Sequence, residues 1–204
     1  MSGQFGFKHW PMPRVNRKSQ VRVLVYGFGP YRQFKENITA QIIESLAPRP
    51  GLRKIIFPVR FSRKQFVDSL RAPMPLMVLG LGQSSRPRIE VETRAINRRR
   101  ISKNNAPRPI TFGGEAWIPA TMPLAVTRPA QKSINAGDYV CNYSMYVMLE
   151  EIERQGHYGR FAFVHIPFDH DLKAACLYVE RVVEECFEFA DKLERERAAK
   201  RLGG

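Results

Sequence analysis

A thiol, an imidazole and a carboxylate are the side chains of covalent acyl transfer, and this 204-residue chain carries them at suggestive places. Cys141 lies in Ala136-Gly137-Asp138-Tyr139-Val140-Cys141-Asn142, where a helical pattern begins. With Asp138 as the cap, Cys141 falls about three residues into the helix. There the positive end of the helix dipole favours thiolate over thiol. Ala136 and Gly137 ahead of the cap would let a substrate backbone approach closely. On residue type alone a lone cysteine is more often a small core hydrophobe, and only its position raises it above that. His165 follows an apolar run and precedes Ile166-Pro167, the carboxyl end of a buried strand, where a general base would be presented. The bland alternative is a structural histidine. His170 is the nearby competitor; His9 lies near the N-terminus and His157 beside a helix stop. Glu90 and Glu92 flank Val91, so both carboxylates point to one side of a strand. They could be a solvated face, yet a Cys–His pair needs a third group to orient the ring, and a carboxylate does so. Spacing does not choose between them.

The elements that must position these groups alternate in type. Val21–Tyr26 reads as a strand ending in the turn Gly27-Phe28-Gly29-Pro30, and a helix follows over Thr39–Leu46. Lys54–Val59 is a second strand, and Ser62 caps a helix to about Leu70. Leu76–Leu81 is continuously apolar, the mark of a strand buried on both faces. Ile89–Ile96 reads as one weaker strand. Residues 98–135 hold five prolines and little periodicity, and read as irregular cover for one face. A helix is expected from about Asp138 to Gln155, with Gly156 as its stop and Val140, Tyr143 and Val147 inward. Arg160–Val164 is a strand, and the last helix spans about Asp169–Arg201 with a stripe of Leu172, Cys176, Val179, Val183 and Cys186. This rhythm predicts a single-domain α/β protein, a three-layer α/β/α sandwich with a mostly parallel sheet. Sites in such sheets lie beyond the strands' carboxyl ends, where Gly27–Tyr31, Gly80–Gln83 and His165–Pro167 converge.

Composition removes several classes. Hydrophobic residues make up 44%, too many for a disordered chain. No run is long enough to span a membrane and none resembles a secretory signal. Residues 1–20 hold Lys8, Arg14, Arg17 and Lys18 and no acid; with Pro11 and Pro13 they read as a basic, disordered tail before a domain of residues 21–201. The three cysteines give no disulfide framework and no metal-ligand spacing. Cys176 and Cys186 would stand roughly 15 Å apart along one helix. A reducing, cytoplasmic setting is expected. Net charge is +14, concentrated locally in residues 1–20 and in Arg98-Arg99-Arg100 with Lys103. These clusters lack interleaved aromatics, so nucleic acid is disfavoured as a partner. Gly27-Phe28-Gly29 is too short for a dinucleotide fingerprint.

Five ordered segments resemble the pyroglutamyl peptidase I (pyrrolidone-carboxylate peptidase) family of cysteine peptidases, over about residues 21–190. They are Val23–Tyr31 with Asn37; Gly82-Gln83; Ile89-Glu90-Val91-Glu92-Thr93-Arg94-Ala95-Ile96-Asn97; Ser133–Asn142; and Phe163-Val164-His165-Ile166-Pro167. The resemblance implies hydrolysis of an N-terminal 5-oxoproline from a peptide whose N-terminus is blocked in that way. It assigns Cys141 as nucleophile, His165 as general base and acid, and Glu92 rather than Glu90 as the group that holds the ring. Phe28 and Tyr31 would wall the lactam, with Gln83 beside it. No metal and no organic cofactor is implied, and a homo-oligomer is left open. This chain departs from the family in Ser84-Ser85-Arg86, where the family has a Gly-rich loop, and in Thr93, where it has arginine. Tyr31 replaces a phenylalanine, Asn37-Ile38 lacks the usual proline, and Arg100-Ile101-Ser102-Lys103-Asn104 carries a lysine in place of an acid. Arg100 would be the family's oxyanion-stabilising arginine. The alternatives are a diverged homologue acting on another lactam or acyl group, and a basic binding protein with a vestigial site.

Overall fold

A computed structural model describes residues 21–31, 34–71, 74–125, 129–156 and 159–202. The expected basic tail, 1–20, lies outside the described residues. In chain order the elements are β1 (Val23–Phe28), α1 (Ile38–Ser45), β2 (Leu52–Phe57), α2 (Arg63–Ser69), β3 (Met77–Ser84), β4 (Glu90–Glu92), β5 (Arg94–Ile96), β6 (Trp117–Pro119), β7 (Gln131–Ser133), α3 (Val140–Arg154), β8 (Arg160–Pro167) and α4 (Leu172–Leu202). Six strands form one sheet in the order β2-β1-β3-β8-β4-β7. All neighbours run parallel except β4 and β8.

Side-chain alternation along the strands sorts the core into two layers. Val23 and Val25 of β1 join Leu79, Leu81 and Val164 on the face covered by α1 and α4, with Ile42, Val179 and Val183. Leu24 and Tyr26 join Val78, Phe161 and Phe163 on the other face, against Phe66 of α2 and Val147 of α3. Every residue of β1 is therefore buried, which is why its sequence shows no polar alternation. The three-layer α/β/α sandwich is the expected one. Tyr26, fully buried among Phe28, Phe57, Phe66, Phe161 and Phe163, satisfies its hydroxyl on Ser144 Oγ at 2.9 Å.

Several boundaries differ from expectation for local reasons. Ile89–Ile96 is two strands rather than one. β4 belongs to the large sheet, whereas β5 pairs antiparallel with β6 in a separate ribbon. The switch is at Thr93, whose backbone N–H and hydroxyl both donate to the Ser133 carbonyl, at 2.8 and 2.9 Å. Residues 98–135 include β6 and β7, each three residues long and too short to show a period. α3 begins at Val140 with Tyr139, not Asp138, at the cap. Asp138 instead meets Arg100 Nε at 2.9 Å. Cys141 is thus the second helical residue, still within the first turn. α4 starts at Leu172 because Asp171 Oδ1 accepts the Ala174 N–H at 2.7 Å, an N-cap contact. Among the described residues, no helix is long and apolar enough to cross a membrane.

Candidate active site

β1, β3 and β8 are mutually parallel neighbours, so their carboxyl ends open at one edge of the sheet. His165 lies within β8, opposite Gly82 of β3. A Cβ on Gly82 would stand 2.6 Å from His165 Cδ2 and 2.8 Å from Nε2, so only glycine leaves room for the ring. On the other side, antiparallel β4 places Glu90 directly opposite His165 and Glu92 two residues along on the same face. Geometry separates the two carboxylates: Glu92 Oε1 lies 2.7 Å from His165 Nδ1. Both groups are buried.

With Nδ1 engaged by Glu92, Nε2 is the ring nitrogen left for Cys141, whose thiol interacts with the ring. Burial alone would lower the pKa of His165. The hydrogen bonds and charges of Cys141 and Glu92 outweigh it and raise the ring to about 9. Cys141 itself is partly exposed, on the first turn of α3, where backbone N–H groups have no helical partner. Its carbonyl accepts from Ser144 Oγ at 2.8 Å. Asn142 is fully buried, and its amide closes three hydrogen bonds of 2.8 Å with backbone groups of Ile96 and Arg98. That fixes the helix start against the segment leading to Arg100. Cys176 and Cys186 stand on α4, away from this site, and burial pushes the Cys186 thiol well up.

Beside Cys141 opens a cavity of about 310 Å³. Phe28, Tyr31 and Gln83, all anticipated from sequence, line it. Asn37, Arg100, Ser102 and Lys103, positions named in the resemblance, line it too, as do Phe34, Val59 and Asp138, which were not anticipated there. Phe34 arrives through an isolated bridge to Tyr31 and a ring contact with Phe168, centroids 5.5 Å apart. Its aromatic character three residues after Tyr31 was the available signal. The wall is held by local polar contacts. Asn37 caps α1 through the Thr39 N–H and donates to the Gly29 carbonyl at 3.1 Å, while Thr39 Oγ1 accepts from the Phe28 N–H at 3.0 Å. Gln83 Oε1 accepts from the Ile38 N–H at 3.1 Å, which leaves its amide donors for a ligand. The Tyr139 hydroxyl donates to that of Tyr31. A second cavity of about 520 Å³, near Trp117, Leu149 and Ile152, has no thiol or imidazole in its lining among the described residues.

Glu90, Glu92 and His165 bring ligand-capable atoms within 4.8 Å of one another. The cation already among them is the Arg86 guanidinium, which pairs with Glu90, so the cluster is an ion-pair network. Of the basic run, Arg99 exchanges backbone hydrogen bonds with Arg108, and Arg100 pairs with Asp138.

Fold and site together define an α/β protein with a cysteine, histidine and glutamate at the carboxyl edge of a parallel sheet, beside an aromatic-walled slot. The sequence model for pyroglutamyl peptidase matches residues 21–175, and this chain belongs to that family. It is 29% identical over 175 residues to pyrrolidone-carboxylate peptidase 1 of Saccharolobus solfataricus, covering 75% of this chain and 81% of that protein. It is 32% identical over 170 residues to the pyrrolidone-carboxylate peptidase of Bacillus cereus, covering 72% and 78%. In fold it matches the pyrrolidone carboxyl peptidase of Thermococcus litoralis, with TM-score 0.75, 24% identity, and 85% and 96% of the two chains covered.

Proposed function

We propose that this chain is a cysteine-type omega-peptidase that removes an N-terminal pyroglutamyl residue from peptides, with Cys141, His165 and Glu92 as its catalytic groups. The observation that carries the reading is the continuous string Glu92–His165–Cys141 at the edge of a small, largely aromatic slot. A flat, uncharged lactam suits apolar walls with a few polar contacts, here Phe28, Tyr31 and Phe34 with the Gln83 amide.

The chemistry follows from the geometry. His165 takes the thiol proton before Cys141 Sγ attacks the pyroglutamyl carbonyl, and Glu92 holds the charged ring in orientation. A ring whose pKa is raised to about 9 accepts that proton readily and keeps it at neutral pH. The oxyanion forms beside the free N–H groups of the first turn of α3 and the Arg100 guanidinium. Its collapse breaks the C–N bond, and the imidazolium proton goes to the leaving amine. Water, deprotonated by His165, then hydrolyses the thioester and releases 5-oxoproline and the thiol. No step calls for a metal or cofactor, and a reducing, cytoplasmic setting suits a free thiol.

Hydrolysis of a chromogenic pyroglutamyl amide tests this. Wild type should turn it over, and Cys141→Ala should abolish both turnover and stoichiometric alkylation. Turnover surviving in Cys141→Ala would refute the nucleophile. An alkylatable Cys141 without turnover would point to another lactam or acyl group.

A further inference from the structure

Two buried carboxylates so close together are an electrostatic problem for the site just described. Glu90 and Glu92 have side chains 9% and 0% exposed, and both face His165. Like charges at this range repel strongly unless a cation lies between them. His165 cannot neutralise both, since its Nδ1 is bonded to Glu92 and its other nitrogen is left for Cys141. On the face of the two carboxylates β7 presents only neutral groups: Gln131 Nε2 donates to Glu90 Oε1 at 3.1 Å, and Ser133 lies beside them, while Lys132, opposite Val91, alternates to the other face.

Arg86, from the loop between β3 and β4, fills the gap. Its Nη1 pairs with Glu90 and lies 3.6 Å from Glu92 Oε1 and 3.2 Å from Ser133 Oγ. Its Nη2 donates to the Asn135 carbonyl at 2.6 Å. Asn135 in turn holds the approach to α3, accepting the Gly137 N–H on Oδ1 at 3.1 Å. One planar guanidinium thus joins the loop that follows Gln83, the strand of Glu92 and the segment leading to Cys141.

We propose that Arg86 is a positioning residue for the reaction: it balances the charge of Glu90 beside the Glu92–His165 pair, and it ties the nucleophile's approach segment to that pair. This rests on the assignment of Cys141, His165 and Glu92 to catalysis. It is independent of which acyl group is bound.

The test therefore reads Cys141 directly, through the pH dependence of its alkylation rate by iodoacetamide, with kcat and KM on the pyroglutamyl amide measured alongside. Cys141→Ala supplies the blank for Cys176 and Cys186. Arg86→Met should move the acid limb of the Cys141 rate up by about one pH unit, so that at pH values on that limb the rate falls about tenfold. It should lower kcat more than it raises KM. Arg86→Met combined with Glu90→Gln removes the surplus charge and should recover most of the rate. Arg86→Lys keeps the cation and should hold the limb within about 0.3 unit of wild type. An unshifted limb in folded Arg86→Met, a double variant no better than the single one, or Arg86→Lys shifted as far as Met would each overturn the proposal. If Arg86→Met does not fold, the lysine variant and the double variant decide. Failure of the amide assay alone, with the alkylation pattern as expected, would count against the substrate and leave Arg86 in its role.

Discussion

Glu92→Gln keeps the shape of the third group and removes its charge, so it isolates what the carboxylate does for His165. In the folded chain that ring titrates near 9, against 6.5 for an unperturbed histidine. The gap of 9 − 6.5 = 2.5 units corresponds to about 3 kcal/mol at about 1.4 kcal/mol per unit. The sign is fixed by the direction of the shift. A raised pKa means the folded state binds the proton more tightly, so the stabilisation is fully present below pH 6.5. It is lost as pH rises through 9. Two measurements check this. NMR titration of the imidazole resonances is tractable with four histidines in the chain. Urea unfolding between pH 6 and 10 gives the linked stability. Wild type should show His165 titrating near 9 and lose about 3 kcal/mol from this group across the window. In Glu92→Gln the titration should fall by a unit or more, the pH-dependent loss should shrink with it, and kcat should drop on the order of 10²–10⁴-fold. A wild-type His165 that titrates at or below 6.5, or a titration unmoved by Glu92→Gln, would refute the reasoning.

Other expected outcomes follow from single contacts. Gly82→Ala puts a methyl within 2.6 Å of the imidazole, so activity should fall about 100-fold, with a loss of about 1–3 kcal/mol in a denaturant melt. Asn142→Ala leaves three backbone groups of Ile96 and Arg98 without their partners, and should cost about 3 kcal/mol or more; a melt within 1 kcal/mol of wild type would contradict that role. Tyr31→Phe removes a hydroxyl bonded to Tyr139 while keeping the apolar wall, so stability should fall by about 1 kcal/mol and KM should change more than kcat.

Much of this site could be read before any coordinates because its chemistry is concentrated in short, contiguous motifs. Cys141 was legible from the start of a helical pattern, and His165 from the end of an apolar strand. Glu92 was not separable from Glu90 by alternation, since period two puts both on one face; the resemblance favoured Glu92, and it is Glu92 Oε1 that lies 2.7 Å from His165 Nδ1. The strand break at Thr93 was hidden because it depends on hydrogen bonds to Ser133, forty residues away. β6 and β7 are too short to leave a pattern. Arg86 read only as a departure in a loop, and its place between two carboxylates exists only once β4 and β7 are paired. Lys103 and Asp138 are likewise brought to the cavity by loop geometry rather than by spacing.

The place of β8 in the sheet bears on when the site can come into being. Of the six strands in this sheet β8 comes last in the chain, yet it is inserted between β3 and β4, which precede it by many residues. Until it arrives, the sheet is two separate pieces, β2-β1-β3 and β4-β7, each with an open edge. Cys141 and Glu92 are already synthesised by then but lack the strand that links them. Such long-range closure is slow compared with local pairing, and it is the event that supplies the imidazole. Hydrolytic competence should therefore appear in one step with completion of the sheet, making activity a timer of that closure.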